Sequence, residues 1–226
     1  MPTSRSLTGR RRSRSLYPLL ACGLVGGLAA PAAIAASPET SGTSRTVAEQ
    51  RQPGPSAPDG QVGLWTSVNQ SHPNTRYWAT TGNVARVGKR ALANNRELNG
   101  VWRSFITMGT DNLRHRKPIH RARLLIRNTT SQSCAPYNVE IWDTGRVYRS
   151  TTWNTQPRWY HWLDTKHPRS DGNCQNRLLS FDVTRSAREA QKNSWPSMTL
   201  GLKASNTNSS DAYKTFAPST ARLVVD

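Results

Sequence analysis

Residues 197–205 read Ser-Met-Thr-Leu-Gly-Leu-Lys-Ala-Ser, with Met198, Leu200, Leu202 and Ala204 in every second place. Successive side chains of a strand point to opposite faces, so the alternation places these four residues on one apolar face. Outward from it the pattern recurs. Val139 and Ile141 alternate with Glu140 and Trp142, and VWRSFITM (101–108), ARLLIRN (122–128), LLSFDV (178–183) and ARLVVD (221–226) are similar short runs. Segments such as NTTSQS (128–133), DGNCQN (171–176) and SNTNSSD (205–211) favour turns between them. Many short strands at this spacing predict an all-β fold, an antiparallel β-sandwich. One short helix is expected over Arg185–Asn193, where Ser186 and Glu189 match a capping box and Pro196 follows the end.

The charge is lopsided. In 226 residues, 31 Lys and Arg face 13 Asp and Glu, a net charge of +18. Five of those arginines, Arg5, Arg10, Arg11, Arg12 and Arg14, precede an apolar run that ends in Ala33-Ile34-Ala35. This is the pattern of a secretory signal peptide over residues 1–35, and Pro18, Pro31 and the glycines of the run speak against an integral membrane anchor. Arg11-Arg12 without a following Phe-Leu favours general secretion over twin-arginine export, while Cys22 after Leu-Leu-Ala leaves an acylation site open. Residues 36–60 are rich in Ser, Thr, Pro and Gly with a single Val, and read as a flexible linker. The folded module is expected over 61–226, where 24 basic side chains face 10 acidic ones, a net of +14. Such a surface suits acidic partners.

With the leader removed, Cys134 and Cys174 are the only cysteines. An even pair in an oxidising compartment predicts one disulfide; a metal site is the weaker reading, since no His stands at ligand spacing to the two thiols.

The segments WRSFITMGT (102–110), IHRARLLIRNTTSQSCAPYNVEIWDTG (119–145), STTWNTQPRW (150–159), FDVTRSAREAQKNSW (181–195) and MTLGLKASN (198–206) occur in an order that resembles the DNRLRE-type jelly-roll modules of secreted bacterial proteins, which are related to carbohydrate-binding module family 96. The resemblance spans residues 61–226. It implies a jelly-roll-like sandwich, a secreted and non-catalytic role, and Trp153 and Pro157 as part of the module's own packing. In actinobacterial versions such a module often precedes laminin-G-like domains. The segment LRHRKPIHRAR (113–123) is more basic than the resemblance leads one to expect.

Indole rings bury large areas, which a small sandwich needs, so Trp102, Trp142, Trp153 and Trp195 are read as packing residues. Arg158, Trp159, Tyr160 and Trp162 follow the motif and are candidate ligand contacts, with strict alternation placing Trp159 and His161 on one side and Tyr160 and Trp162 on the other. Arg114, Arg116 and Lys117, in a loop before Pro118, are candidate contacts for an anion, whereas Arg121 and Arg123 read as a solvated strand face. No acid pair of glycosidase type stands out: Glu140 and Asp143 are the nearest, and they read as surface charges. No nucleophile elbow, His-Glu-x-x-His motif or phosphate-binding glycine loop occurs. His72, His115, His120, His161 and His167 are scattered, so neither a metal nor a cofactor is expected.

Two classes of function remain. One is a secreted, extracellular or cell-wall-associated module, expected monomeric, that binds a polysaccharide or teichoic-type anionic polymer. The other is a spacer domain without a specific ligand. Nucleic acid is not expected as a partner, because the chain reads as exported.

Overall fold

The computed structural model describes residues 60–78, 83–94, 96–134, 137–167 and 174–226. The expected leader, Cys22 and the linker, apart from Gly60, lie outside these residues, as does Asp171. The elements run β1 (Val62–Asn69), β2 (Tyr77–Trp78), β3 (Ala85–Arg90), β4 (Gly100–Gly109), β5 (Ala122–Ser131), β6 (Val139–Thr144), β7 (Trp159–Lys166), β8 (Arg177–Asp182), α1 (Thr184–Lys192), β9 (Ser197–Ala204) and β10 (Lys214–Val225). All strand pairs are antiparallel. One sheet runs β7-β6-β9-β4 and continues through β1 to β2; the other runs β3-β10-β5-β8. The fold is an all-β, jelly-roll-like sandwich with, among the described residues, one α-helix; the alternation predicts the sandwich, and the resemblance implies its jelly-roll character.

The strand that opened the sequence reading sits centrally. β9 pairs with β4 on one side (Leu200 opposite Ile106) and β6 on the other (Leu202 opposite Ile141). Its alternate residues Met198, Leu200 and Leu202 enter the main core between the sheets, where they meet Leu124, Ile126, Phe181 and Phe216 from the second sheet. Burying aliphatic and aromatic side chains from both inner faces is what holds the layers together, at roughly 25 cal/mol per Å² of apolar area.

The two sheets are joined at both ends of the strand order. β3 pairs with β10 through Ala85–Val87 and with β4 through Gly88–Arg90, so it changes sheets at Gly88. There φ is +87°, and a Cβ would stand 2.5 Å from the carbonyl oxygen of Ala212, so the corner requires glycine. At the opposite end, Asp164 of β7 accepts a hydrogen bond from the backbone N–H of Asp182 of β8 at 2.8 Å, and the same oxygen lies 2.9 Å from the Lys166 ammonium.

Cys134 and Cys174 are disulfide-bonded, with Cα atoms 5.2 Å apart. The bond ties the segment after β5 to the segment before β8 and closes a loop of 40 residues in sequence separation.

Three local expectations are corrected. Residues 128–131 of NTTSQS do not turn but extend β5, whose Asn128, Thr130 and Ser131 pair with β10. The threonines there pack as hydroxyl pairs, Thr129 and Thr130 each meeting the Thr215 hydroxyl. The helix begins at Thr184 with Val183 at the N-cap, so Ser186 lies inside it, buried, and forms no capping box; just before the helix the Asp182 carboxylate accepts from the Thr184 N–H at 2.9 Å. Asp143 is buried on the core side of β6 instead of lying on the surface.

The helix presents Ser186, Ala187 and Ala190 to the core. Small side chains let its axis approach the sheet edge closely. Its exposed side reaches out with Arg188, which donates to the carbonyls of Ile119 and His120, and Gln191, which donates to those of Leu113, Arg116 and Lys117. The basic loop after β4 is thus stapled to α1 by its backbone.

Candidate functional site

The face of β9 opposite Met198, Leu200 and Leu202 turns away from the core, and it carries the site. Gly201 and Lys203 share this outer face with Arg103 and Phe105 of β4 and Glu140 and Trp142 of β6, as the register places them. The segment 145–158, between β6 and β7, crosses over part of the face. Its Val147 joins Leu64, Val68 and Phe105 in a second, smaller core, on which Trp78, Trp153 and Trp159 pack.

Under this strap the polar groups are ordered around Gln156. Its Oε1 accepts from Arg103 Nη1 at 2.9 Å and from the Trp159 indole at 3.3 Å, and its Nε2 donates to the Trp153 carbonyl at 2.9 Å. The Arg103 guanidinium lies 4.5 Å from the centre of the Trp153 ring and 5.6 Å from that of Trp159. Burial lowers the pKa of Arg103 from the ordinary guanidinium value, and the indole faces partly replace its lost hydration. Trp159 itself rests edge-on to Trp142, with centroids 6.2 Å apart, and 5.1 Å from Phe105.

Beyond the strap the face is open. Trp142 donates its indole N–H to Glu140 at 2.8 Å, while the Lys203 ammonium sits 4.1 Å over the Trp142 ring and 3.5 Å from the same carboxylate oxygen. On the neighbouring strand Trp162 is 55 % exposed, and its indole N–H donates to the Thr165 hydroxyl at 2.9 Å. Trp162 stands opposite Trp142, and Trp159 opposite Thr144.

These registers correct the expected alternation along β7. Two shifts, one between the partners of Ile141 and Trp142 and one between those of Asp143 and Thr144, leave Leu163 and Tyr160 without an opposite residue. Each extra residue resets the period of two, so Trp159 and Trp162 fall on the same outer face and Leu163 packs inward against the main core. Arg158 is exposed, with its guanidinium 5.7 Å over the Tyr160 ring.

The packing assignments of the other tryptophans hold in different degrees. Trp102 is wholly buried, donating its indole N–H to the Leu98 carbonyl at 2.8 Å, and Trp153 is covered by Arg103. Trp159, expected as a ligand contact, is chiefly a packing residue of the second core.

The basic loop forms a separate place. Arg114, Arg116 and Lys117 follow β4 in and just after a 3-10 turn at Asp111–His115. Arg114 is ion-paired with Asp111 at 2.7 Å, and Arg123 with Asp226 at 3.0 Å. Arg116 donates to the Val225 carbonyl at 3.4 Å and, with Lys117, Pro118, His120 and Asp226, lines a shallow groove of about 360 Å³. A carboxylate in that groove and the ion pairs beside it reduce its pull on an anion, so the loop is a weaker candidate than its sequence suggests.

Glu140 and Asp143 lie on opposite faces of β6, one outward and one in the core, and do not flank a common space. Among the described residues no group of three His, Cys, Asp or Glu side chains is placed to hold a metal ion, and no helix is long and apolar enough to cross a membrane. Sequence reasoning missed Arg103, Lys203 and Gln156. The first two were legible as the outward members of strands whose inward members were read; Gln156 gave no signal. Compared with known proteins, the chain matches no family model and no curated sequence.

Proposed function

We propose that this chain is a secreted, non-catalytic module that holds an extracellular or cell-wall polysaccharide, acidic in character, on the open part of the outer face of its first sheet. The observation that carries the reading is Trp162: a large ring more than half exposed, pinned by Thr165, and on the same face as Trp142 and its Lys203–Glu140 surroundings. An indole left in water and held in one orientation gains nothing for the fold, but it offers an apolar plane at low entropic cost to the flat face of a sugar ring. Lys203, Arg158 and the net charge of the module favour a polymer bearing carboxylates or phosphates. The ordered motifs and the sandwich support placing the chain among the DNRLRE-type modules related to carbohydrate-binding module family 96. The leader-like sequence and the disulfide support export.

Affinity electrophoresis tests this, in gels containing alginate, polygalacturonate, teichoic acid or neutral glucan. The wild-type chain is expected to be retarded by the acidic polymers, with retardation falling steeply with salt as charges are screened over about 10 Å at 0.1 M. Trp162→Ala should lose most of it, and Arg114→Ala/Arg116→Ala less. Equal retardation of Trp162→Ala and wild type removes the face from the site. No retardation on any polymer leaves the spacer role in its place.

A further inference from the structure

A groove of about 550 Å³ lies between the turn that follows β1 and the strap over the outer face, lined by Asn74, Arg76, Tyr148, Ser150, Thr151 and Thr155 among others. The volume falls within the range of roughly 300–1,000 Å³ common to small-molecule sites. None of its residues belongs to the open face around Trp162.

Its walls are fixed by their own hydrogen bonds. The backbone N–H of Tyr148 donates to the Thr151 hydroxyl at 2.9 Å, and that of Thr151 returns to the Tyr148 carbonyl at 3.0 Å. Four residues on, the arrangement repeats: Thr152 N–H donates to the Thr155 hydroxyl at 2.9 Å, and Thr155 N–H to the Thr152 carbonyl at 3.2 Å. Asn154 then ties the strap to the facing turn, its backbone N–H donating to the Pro73 carbonyl at 3.1 Å and its Nδ2 to Asn74 Oδ1 at 2.9 Å. A groove whose two sides are bonded to each other loses little freedom when it is filled.

The chemistry of the lining is of one kind. Arg76 is the one charged residue of the lining; Arg146, Arg149 and Arg158 lie in the same two segments, 70–78 and 145–158, outside the lining, and neither segment carries an acidic residue. Arg149 lies 5.2 Å over the Trp78 ring, against the second core, and Arg146 lies 4.8 Å from the centre of the Tyr148 ring, which is nevertheless 52 % exposed. Arg76 is exposed at the rim. The groove thus offers an exposed phenol ring, a guanidinium for an oxyanion, and the hydroxyl groups of Ser150, Thr151 and Thr155, which keep their own protons to donate to an alcohol-rich ligand.

We infer that this groove binds one anionic polyol unit, a uronic-acid residue or a phosphate-bearing polyol, with Arg76 on the acid group and Tyr148 against the carbon skeleton. The inference rests on the polymer-binding reading above, to which it adds a second site and the chemistry that selects the acidic ligand.

The test titrates the purified full-length chain with trigalacturonate, with a glycerol-phosphate trimer and with a neutral glucose trimer, following tyrosine and tryptophan fluorescence. Binding of at least one acidic trimer is expected, and the arm that binds identifies the acid. Tyr148→Ala and Arg76→Ala should each weaken it at least tenfold without lowering the melting temperature, and Arg76→Lys should fall between. Wild type and both alanine variants binding alike, or the neutral trimer binding as tightly as the acidic ones, overturns the groove. If Trp162→Ala still loses retention on polymer gels in that case, the face stands and only the groove falls. If wild type binds no trimer the groove falls, and if it is also retained by no polymer both readings fall together.

Discussion

The ring of Trp159 lies against the backbone of Gly201, so closely that a Cβ at Gly201 would stand 2.6 Å from its Cζ3 and 2.7 Å from the Thr144 methyl group. The missing side chain in the middle of β9 is what lets the first ring of β7 settle on the sheet, and the smaller core packs beside that contact. Gly201→Ala should therefore destabilise the fold by about 1–3 kcal/mol, as overpacking does. Trp159→Ala removes a large half-buried ring and should cost about 2–4 kcal/mol. Since one ring is the obstacle for the other residue's Cβ, the double variant should be more stable than the sum of the two losses implies. Chemical denaturation of the four proteins measures the coupling, and strict additivity would show the contact is not shared.

The Cys134–Cys174 bond spans 40 residues of chain. On the chain-entropy account a loop of that length stabilises by about 4 kcal/mol. Cys134→Ser/Cys174→Ser is expected to shift the denaturation midpoint accordingly, and adding a reductant should shift wild type but not the variant.

Helix α1 ends with Ser194 at φ +52°, its N–H donating to the Gln191 carbonyl at 3.1 Å and that of Trp195 to the Ala190 carbonyl at 2.9 Å. This is a Schellman ending whose left-handed position suits glycine. Ser194→Gly should raise stability by about 0.5–1 kcal/mol, read as a higher melting temperature with no change in binding.

Asp182 stands just before the helix, and hydrogen bonding from the Thr184 hydroxyl, opposed by partial burial and helped by the Thr184 N–H and by Arg121 and Lys166, holds its carboxyl below the ordinary value. A depressed folded-state pKa means that its stabilisation is fully present above the unfolded value of about 3.9 and is lost as pH falls through the folded value. Stability of wild type should thus drop more steeply below about pH 5 than that of Asp182→Asn. Superimposable acid-denaturation curves would remove Asp182 from that role.

Much of the fold was legible in local pattern. The period of two in SMTLGLKAS, VEIW and ARLLIRN fixes which side chains face the core, because a strand has only two faces and one-sided burial allows only one register. Cys134 and Cys174, the two cysteines outside the expected leader, suffice to name the disulfide. The helix was legible within a residue, although its start was not: it opens at Thr184 behind Val183, which leaves Ser186 buried inside the first turn.

Tertiary structure alone decided the rest. The two bulges of β7 arise from its pairing with β6, and no run of residues within Trp159–Lys166 announces that Trp159 and Trp162 share a face. The hydroxyl-rich NTTS extends a strand because Thr215 of a distant strand satisfies its side chains. Which basic residues remain available is non-local in part: Arg123 meets Asp226, 103 residues on, whereas the pair of Arg114 with Asp111 is local, three residues apart. Composition sets how much charge and how many rings the chain carries. Whether a ring packs or stands in water depends on which strand lies under it and whether that strand has a side chain at the point of contact.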